Sequence, residues 1–231
     1  MFTDMKRNSS SRRAGFSLIE LMVVLGVVGL LLAIAAPNLI GLLGSNTLTG
    51  EGSYLRNQLT LAQQLAVSKS SDVEVRFFKY TDTAAASTED GFRAYQLFQF
   101  DRSGKLAPVS DFFPIRTPVV VHEQLSTLLQ PGQAKGKDAK YGFTAPRESA
   151  TNYEIPIGEG GRLEGAPYVA FRFRPDGSTD LPYRSGGTGG GGDTWYLTLV
   201  QGEGAQEESE PQNYVCLQVN PYNGQVTEFR P

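Results

Sequence analysis

The stretch G-F-S-L-I-E-L-M-V-V-L-G-V-V-G-L-L-L-A-I-A-A-P, residues 15–37, decides how the rest of the chain is read. From Leu21 to Ala36 it holds only Leu, Met, Val, Ile, Ala and Gly, and no charged residue occurs between Glu20 and Glu51. A segment apolar on all sides is what a membrane-spanning helix requires, because lipid offers the backbone no hydrogen-bond partner. Leu21, Val24, Val28, Leu32 and Ala36 are the residues expected to meet lipid or a neighbouring helix. Gly26 and Gly29 leave room for another helix to approach, although their spacing is not that of the G-x-x-x-G motif.

Charge orients this segment. Lys6, Arg7, Arg12 and Arg13 against Asp4 leave residues 1–15 at net +3, so the total of −3 puts the remainder at −6. Cations ahead of an apolar run keep that end cytoplasmic. An acidic body argues against bulk nucleic-acid binding, which draws most of its affinity from a basic surface. One cysteine, Cys216, excludes an intramolecular disulfide and leaves the redox compartment open.

Three readings compete for the apolar segment: an ordinary secretory signal peptide, a plain membrane anchor and an assembly helix. Ala33-Ile34-Ala35 is an A-x-A pattern behind a basic region and an apolar core, as at a secretory cleavage site. Cleavage there would release a soluble domain starting near Ala36, with a binding or enzymatic role. Glu20 speaks against it. An acidic residue costs roughly 2.5–3.5 kcal/mol at the centre of a membrane helix and less near its ends. A signal peptide has no use for such a group, whereas an assembling helix can neutralise it with a partner cation.

Gly15-Phe16-Ser17-Leu18-Ile19-Glu20, followed by Leu21-Met22-Val23-Val24-Leu25, resembles the signature of type IV pilins and type II secretion pseudopilins. The resemblance implies that a prepilin peptidase cuts between Gly15 and Phe16, that Phe16 is then N-methylated, and that Glu20 becomes the fifth mature residue. It also implies a role in assembly for Phe16, Glu20 and Pro37, the last standing where many members have a kinking proline. The physical account agrees, since Phe16 and Glu20 are four residues apart and share a helix face. The new ammonium of Phe16 can neutralise Glu20 in its own chain or in a neighbour, and such a pair acts more through specificity than through net stability.

The spacing predicts a long interrupted helix from Ser17 to about Lys69. Residues 16–44 form its apolar part, and residues 45–70 an amphipathic continuation with Leu48, Leu55, Leu59, Ala62 and Ala66 on one stripe. Pro37, Gly41, Gly44, Gly50 and Gly52 are expected to make a flexible joint. Beyond it, residues 71–231 read as a β-rich domain, with loops near 80–90, 131–165 and 185–210. No strand can be placed within 131–165.

Val73, Val75 and Phe77 alternate on one strand, and Val169, Phe171 and Phe173 on another that ends at Pro175-Asp176-Gly177-Ser178. Arg93–Phe100 and Lys105–Val109 flank Ser103-Gly104 as a hairpin, and Trp195–Val200 is a further strand. Tyr214–Val219 and Gln225–Phe229 close around Asn223-Gly224, the strongest short-range hairpin signal in the chain. The expected fold class is therefore α+β, a long N-terminal helix packed on antiparallel sheet. "RNQLTLAQQLAV" leading into "VEVRFF" and later "YVAFRFRPDGS" resembles the H-type minor pseudopilins. "VEVRFFKY", "FRAYQLFQFDRSGKLAPV" and "LSTLL" resemble a pseudopilin-like group from multi-protein cassettes in Verrucomicrobia, cassette protein D.

Enzymatic signals are weak. A nucleophile-His arrangement must use His122, the sole histidine, yet no G-x-S-x-G elbow is present and nothing links His122 to Cys216. One His and one Cys do not make a zinc site. Gly132–Asp138 is one residue short of a phosphate loop and lacks Ser/Thr after Lys137. Asp176 and Asp180 lack the D-x-D spacing of a calcium loop. Arg172, Arg174 and Arg184 form a small basic cluster that reads as a strand face paired with acids, the alternative being the DNA contact of a DNA-uptake minor pilin.

No catalytic residue, metal or cofactor is assigned. By resemblance, the partners are other pilin-like subunits, the prepilin peptidase and, indirectly, an inner-membrane assembly platform with its ATPase. The expected location is the bacterial inner membrane, crossed once, with the C-terminal domain in the periplasm before entry into a pilus or pseudopilus.

Overall fold

A computed structural model describes residues 17–81, 90–101, 103–129, 147–149, 155–157, 161–163, 166–181, 195–202, 211 and 213–231. Side chains are described for all of these except residues 34–44 and the three short segments between 147 and 163. The chain divides into two compact units, Met1–Leu42 and Leu43–Pro231.

Helix α1 is assigned over Leu18–Lys69 and passes through both units. The assignment runs without a break across Pro37, Gly41, Gly44, Gly50 and Gly52, where an interruption was expected. At Gly52 the reason is packing. The position is buried, and a Cβ built there would lie 2.5 Å from Val215 Cγ1, so glycine serves close helix–sheet approach rather than bending. The helix ends at Ser70, which is left-handed (φ 49°), while the Ser71 N–H donates to the Ala66 carbonyl at 3.2 Å. That is the geometry by which a helix terminus satisfies its last carbonyls.

In the second unit the expected stripe is the buried one: Leu48, Leu55, Leu59, Ala62 and Ala66 are each at most 1% exposed. They pack against two antiparallel sheets. The strands, in chain order, are β1 Val73–Tyr80, β2 Gly91–Phe100, β3 Leu106–Pro108, β4 Phe113–Pro114, β5 Val119–Val121, β6 Arg147–Ser149, β7 Ile155–Ile157, β8 Gly161–Leu163, β9 Tyr168–Phe173, β10 Trp195–Gln201, β11 Tyr214–Val219 and β12 Val226–Phe229. The larger sheet runs β3-β2-β1-β9-β6 with β4 also on β2, the smaller runs β12-β11-β10-β5, and β7 pairs with β8. The fold is thus α+β, with more than one sheet against the helix.

Both expected hairpins are present, β2–β3 around Ser103-Gly104 and β11–β12 around Asn223-Gly224. Gly104 and Gly224 have φ of 80° and 65°, a backbone that side chains resist. Strands β6, β7 and β8 occupy the stretch where none could be placed, and the two-residue β4 was also missed.

One core joins the layers. Val73, Val75 and Phe77 of β1 and Val169, Phe171 and Phe173 of β9 meet Trp195, Leu197, Leu199, Val215 and Leu217 of the smaller sheet, with the helix stripe among them. The other face of β1 is also covered: Glu74, Arg76 and Phe78 are buried, and Phe78 joins Tyr80, Ala94, Phe98 and Ala166 in a second cluster. Alternation along β1 therefore separates two packed faces rather than a core from solvent.

Gly50 has open space around its missing Cβ, so Gly50 and Gly52 should respond oppositely to the same change. Alanine in a helix interior gains about 1 kcal/mol over glycine, whereas forcing a methyl into a packed contact costs about 1–3 kcal/mol. Gly50→Ala should therefore raise the denaturation midpoint and Gly52→Ala should lower it, measured by chemical unfolding of the two variants.

Candidate functional site

The apolar segment predicted to act is helical, and its surface is bare in the isolated chain. Twelve large apolar side chains between Leu18 and Leu32 are exposed, including Leu21 (56%), Val24 (53%), Val28 (44%) and Leu32 (63%). Burying a Leu, Val, Ile or Met side chain contributes about 1.5–3 kcal/mol. Covering the set is accordingly worth on the order of 20 kcal/mol, far more than a typical domain's total stability.

Glu20 lies in the first turn, the favourable end of the helix dipole for an anion. The Leu21 N–H reaches the Ser17 carbonyl at 3.1 Å, so the helical pattern starts beside it. Gly15, Phe16 and the rest of the leader lie outside the described residues, and Ala36 and Pro37 lie where side chains are not described. Among the described residues no helix is long and apolar enough to cross a membrane.

His122 and Cys216 are near in the smaller sheet but not in contact. The His122 N–H donates to the Thr198 carbonyl at 2.8 Å, and Thr198 stands opposite Cys216 in the β10–β11 ladder. Two strand spacings therefore separate the histidine from the thiol, about 10 Å, beyond the reach of a nucleophile-base pair. His122 is buried, and its Nδ1 accepts the Leu125 N–H at 3.3 Å. Cys216 is half-buried, and burial raises its thiol pKa against the lowering effect of its hydrogen bond with Thr198. Among the described residues no group of three or more His, Cys, Asp or Glu could hold a metal ion.

The basic cluster divides. Arg172 stands directly across from Glu74 in the β1–β9 ladder, and its Nε reaches Glu74 Oε2 at 2.8 Å. The other carboxylate oxygen takes Arg76 Nε at 2.7 Å. Both guanidiniums stack on rings, Arg76 at 4.3 Å from Phe98 and from Tyr168, Arg172 at 4.2 Å from Phe100. Arg172 is thus engaged with a buried acid, as a structural strand face would be.

Asp176 accepts from the Ser178 N–H and hydroxyl, and these bonds hold its carboxyl below the usual range. Asp180 Oδ1 accepts the Arg172 N–H at 2.6 Å. Each aspartate serves its own turn or strand. Arg184 and Gly132–Asp138 lie outside the described residues.

Sequence reasoning missed a groove of about 710 Å³ where the helix face from Asn46 to Tyr54 meets Phe113, Pro114, Arg116 and Thr117. Glu51 lines it and is paired only loosely, with Arg116 Nε at 3.6 Å on a side chain that is 83% exposed. Burial raises the Glu51 pKa, more than the Arg116 N–H and guanidinium lower it. Tyr54 meets Phe113 edge-on at 5.6 Å, and Phe113 lies 5.4 Å from Tyr95. The buried Tyr95 hydroxyl has no hydrogen-bond partner among the described residues, and burial pushes its pKa well above the ordinary range. The only signal in the sequence was Glu51 itself, the first charge after the apolar run.

A raised carboxyl pKa favours the folded state most below the unfolded pKa, and that contribution is lost as pH rises through the folded value. Glu51→Gln removes the penalised charge. It should raise Tm at pH 7, and its advantage should shrink on acidification and vanish below 4.5, the unfolded value. Thermal scans across that range would check the sign.

Comparison with known proteins adds a motif and a distant structural likeness. Residues 10–36 match the family described as the prokaryotic N-terminal methylation motif. A search of curated proteins found no match. Among solved structures, the minor pseudopilin EpsH from the Type 2 Secretion System of Vibrio cholerae is similar at 8% identity and a TM-score of 0.38, over 80% of this chain and 97% of that one. A score of that size is below what establishes a common fold, so the weight rests on the motif. That match covers residues 10–36 and shows a prokaryotic N-terminal methylation motif at the start of the apolar segment.

Proposed function

We propose that this chain is a pilin-like structural subunit, a minor pseudopilin, that assembles through its N-terminal helix. One observation carries the reading: a helical surface apolar on every side from Leu21 to Leu32, preceded by the single carboxylate Glu20, inside a matched methylation motif. Exposed apolar surface on this scale marks a segment that lipid or another protein covers.

In this reading the precursor enters the inner membrane with its basic leader in the cytoplasm. A prepilin peptidase then cuts between Gly15 and Phe16, and Phe16 is N-methylated. The helix anchors the β-rich domain in the periplasm until a separate ATPase-driven platform moves the subunit into a pilus or type II secretion pseudopilus. Lateral packing of apolar helices then replaces lipid contacts with protein contacts. The Phe16 ammonium, held against Glu20 of the same or a neighbouring chain, sets register, because an unpaired carboxylate in that environment is costly. The chemistry is that of association; no bond is made or broken by the chain itself.

Intact-mass and N-terminal peptide analysis of protein from native membranes tests the processing step. A mature chain beginning at N-methylated Phe16 is expected; one beginning near Ala36 would mean an exported soluble domain and end the assembly reading. Glu20→Val should leave membrane insertion intact while reducing co-assembly with other subunits by about tenfold or more, given the several kcal/mol attached to a buried unpaired charge. Incorporation at the normal level would remove Glu20 from this role.

A further inference from the structure

The helix carries an under-used charge of opposite sign on each of its two flanks. On one flank, Glu51 lines the groove with Arg116 as its loosely held partner. On the other, Arg56 reaches Glu228 only at 4.0 Å with its side chain 47% exposed. Glu228 is already taken there by Arg230, whose Nε lies at 2.7 Å and which also donates to Thr49 and Ser53 on the helix. Glu51 and Arg56 are five residues apart, which separates them by about 140° around the helix axis. Leu55, turned into the core, lies between them. They therefore cannot satisfy each other within one chain, and they lie about 7.5 Å apart along the helix axis.

We propose that a second copy of this chain docks its Arg56 flank into the Glu51 groove. The fit rests on charge and on chemistry. A long flexible guanidinium brings a planar fork of donors to a half-buried carboxylate. Tyr54 and Phe113 supply aromatic walls on which such a group stacks. The two surfaces are different patches of one molecule, so the contact is head-to-tail. Contacts of that type propagate into an open helical array unless the rotation happens to close. This deepens the assembly reading and rests on it, because the apolar helices must first bring copies side by side.

The test uses the full chain in membranes, in a Cys216→Ser background, with two differently tagged copies. One carries Thr60→Cys, a turn from Arg56, and the other Thr117→Cys at the groove. A short bismaleimide is expected to join the two tags. Arg56→Glu, an exposed change, should reduce that product about tenfold or more, as should Glu51→Arg, and combining them should restore it. Arg116→Ala, which frees Glu51, should increase it. Products joining only like positions would mean a two-fold contact and overturn the proposal, as would exclusive cross-linking to a different protein. If Val28→Cys pairs cross-link copies while Thr60 and Thr117 do not, the docking fails and helix-driven assembly stands. Loss of all cross-links overturns both.

Discussion

The second unit depends on how closely one helix face approaches two sheets at once. Leu48, Leu55, Leu59, Ala62 and Ala66 give that face a narrow profile, and Gly52 lets the helix backbone reach Val215 of β11. Gln63 then ties two turns to the helix, its amide donating to the Asn223 carbonyl and, at 3.4 Å, to that of Gly177. Those turns also touch each other, since a Cβ on Gly224 would lie 2.4 Å from the Gly177 carbonyl oxygen. The small residues are therefore placed where backbone meets backbone, and the large ones fill what remains.

The second face of the larger sheet is held by different physics. Glu74 is buried between Arg76 and Arg172, and aromatic rings cover both guanidiniums. A buried ion pair adds little net stability compared with apolar residues of the same shape, but it is costly to break. Here it fixes register: Glu74 and Arg172 are direct ladder partners, so a slip of one residue would put the carboxylate against the wrong side chain. Of the basic residues that suggested a nucleic-acid contact, Arg172 is part of this arrangement, and the acid that neutralises it comes from a strand 98 positions away.

That distance marks the line between what the sequence reveals and what it hides. The helix stripe, the alternation in β1 and β9, and the hairpins at Ser103-Gly104 and Asn223-Gly224 were legible because local spacing and turn chemistry specify them. The division into two sheets was not, because it depends on which strands pair across long loops. Gly52 was misread for a similar reason: a glycine that weakens a helix and one that admits a neighbour look alike until Val215 is in place. The methylation motif at residues 10–36 was legible from residue types alone, because it is written in consecutive positions. The groove at Glu51 was invisible, since Phe113 and Arg116 reach it only through the pairing of β4 with β2.

Glu20 and Glu51 bracket thirty consecutive uncharged residues, and the contrast between them follows from the surroundings each must serve. A membrane helix needs about 20 apolar residues, and the proposed reading takes this interval as the span, with a margin at its C-terminal side. The first carboxylate stands where no cation of the described chain approaches it, at the edge of a surface apolar on every side. The second stands where the helix has become one-sided and polar groups can be hydrated or paired. Burial already disfavours its ionised form, and the exposed Arg116 relieves this only in part. In the reading proposed here, both acids are therefore incompletely satisfied within one chain, and each gains most from a cation on another. In that same reading the subunit tolerates the isolated state in the membrane and keeps a larger free-energy gain for the assembled one.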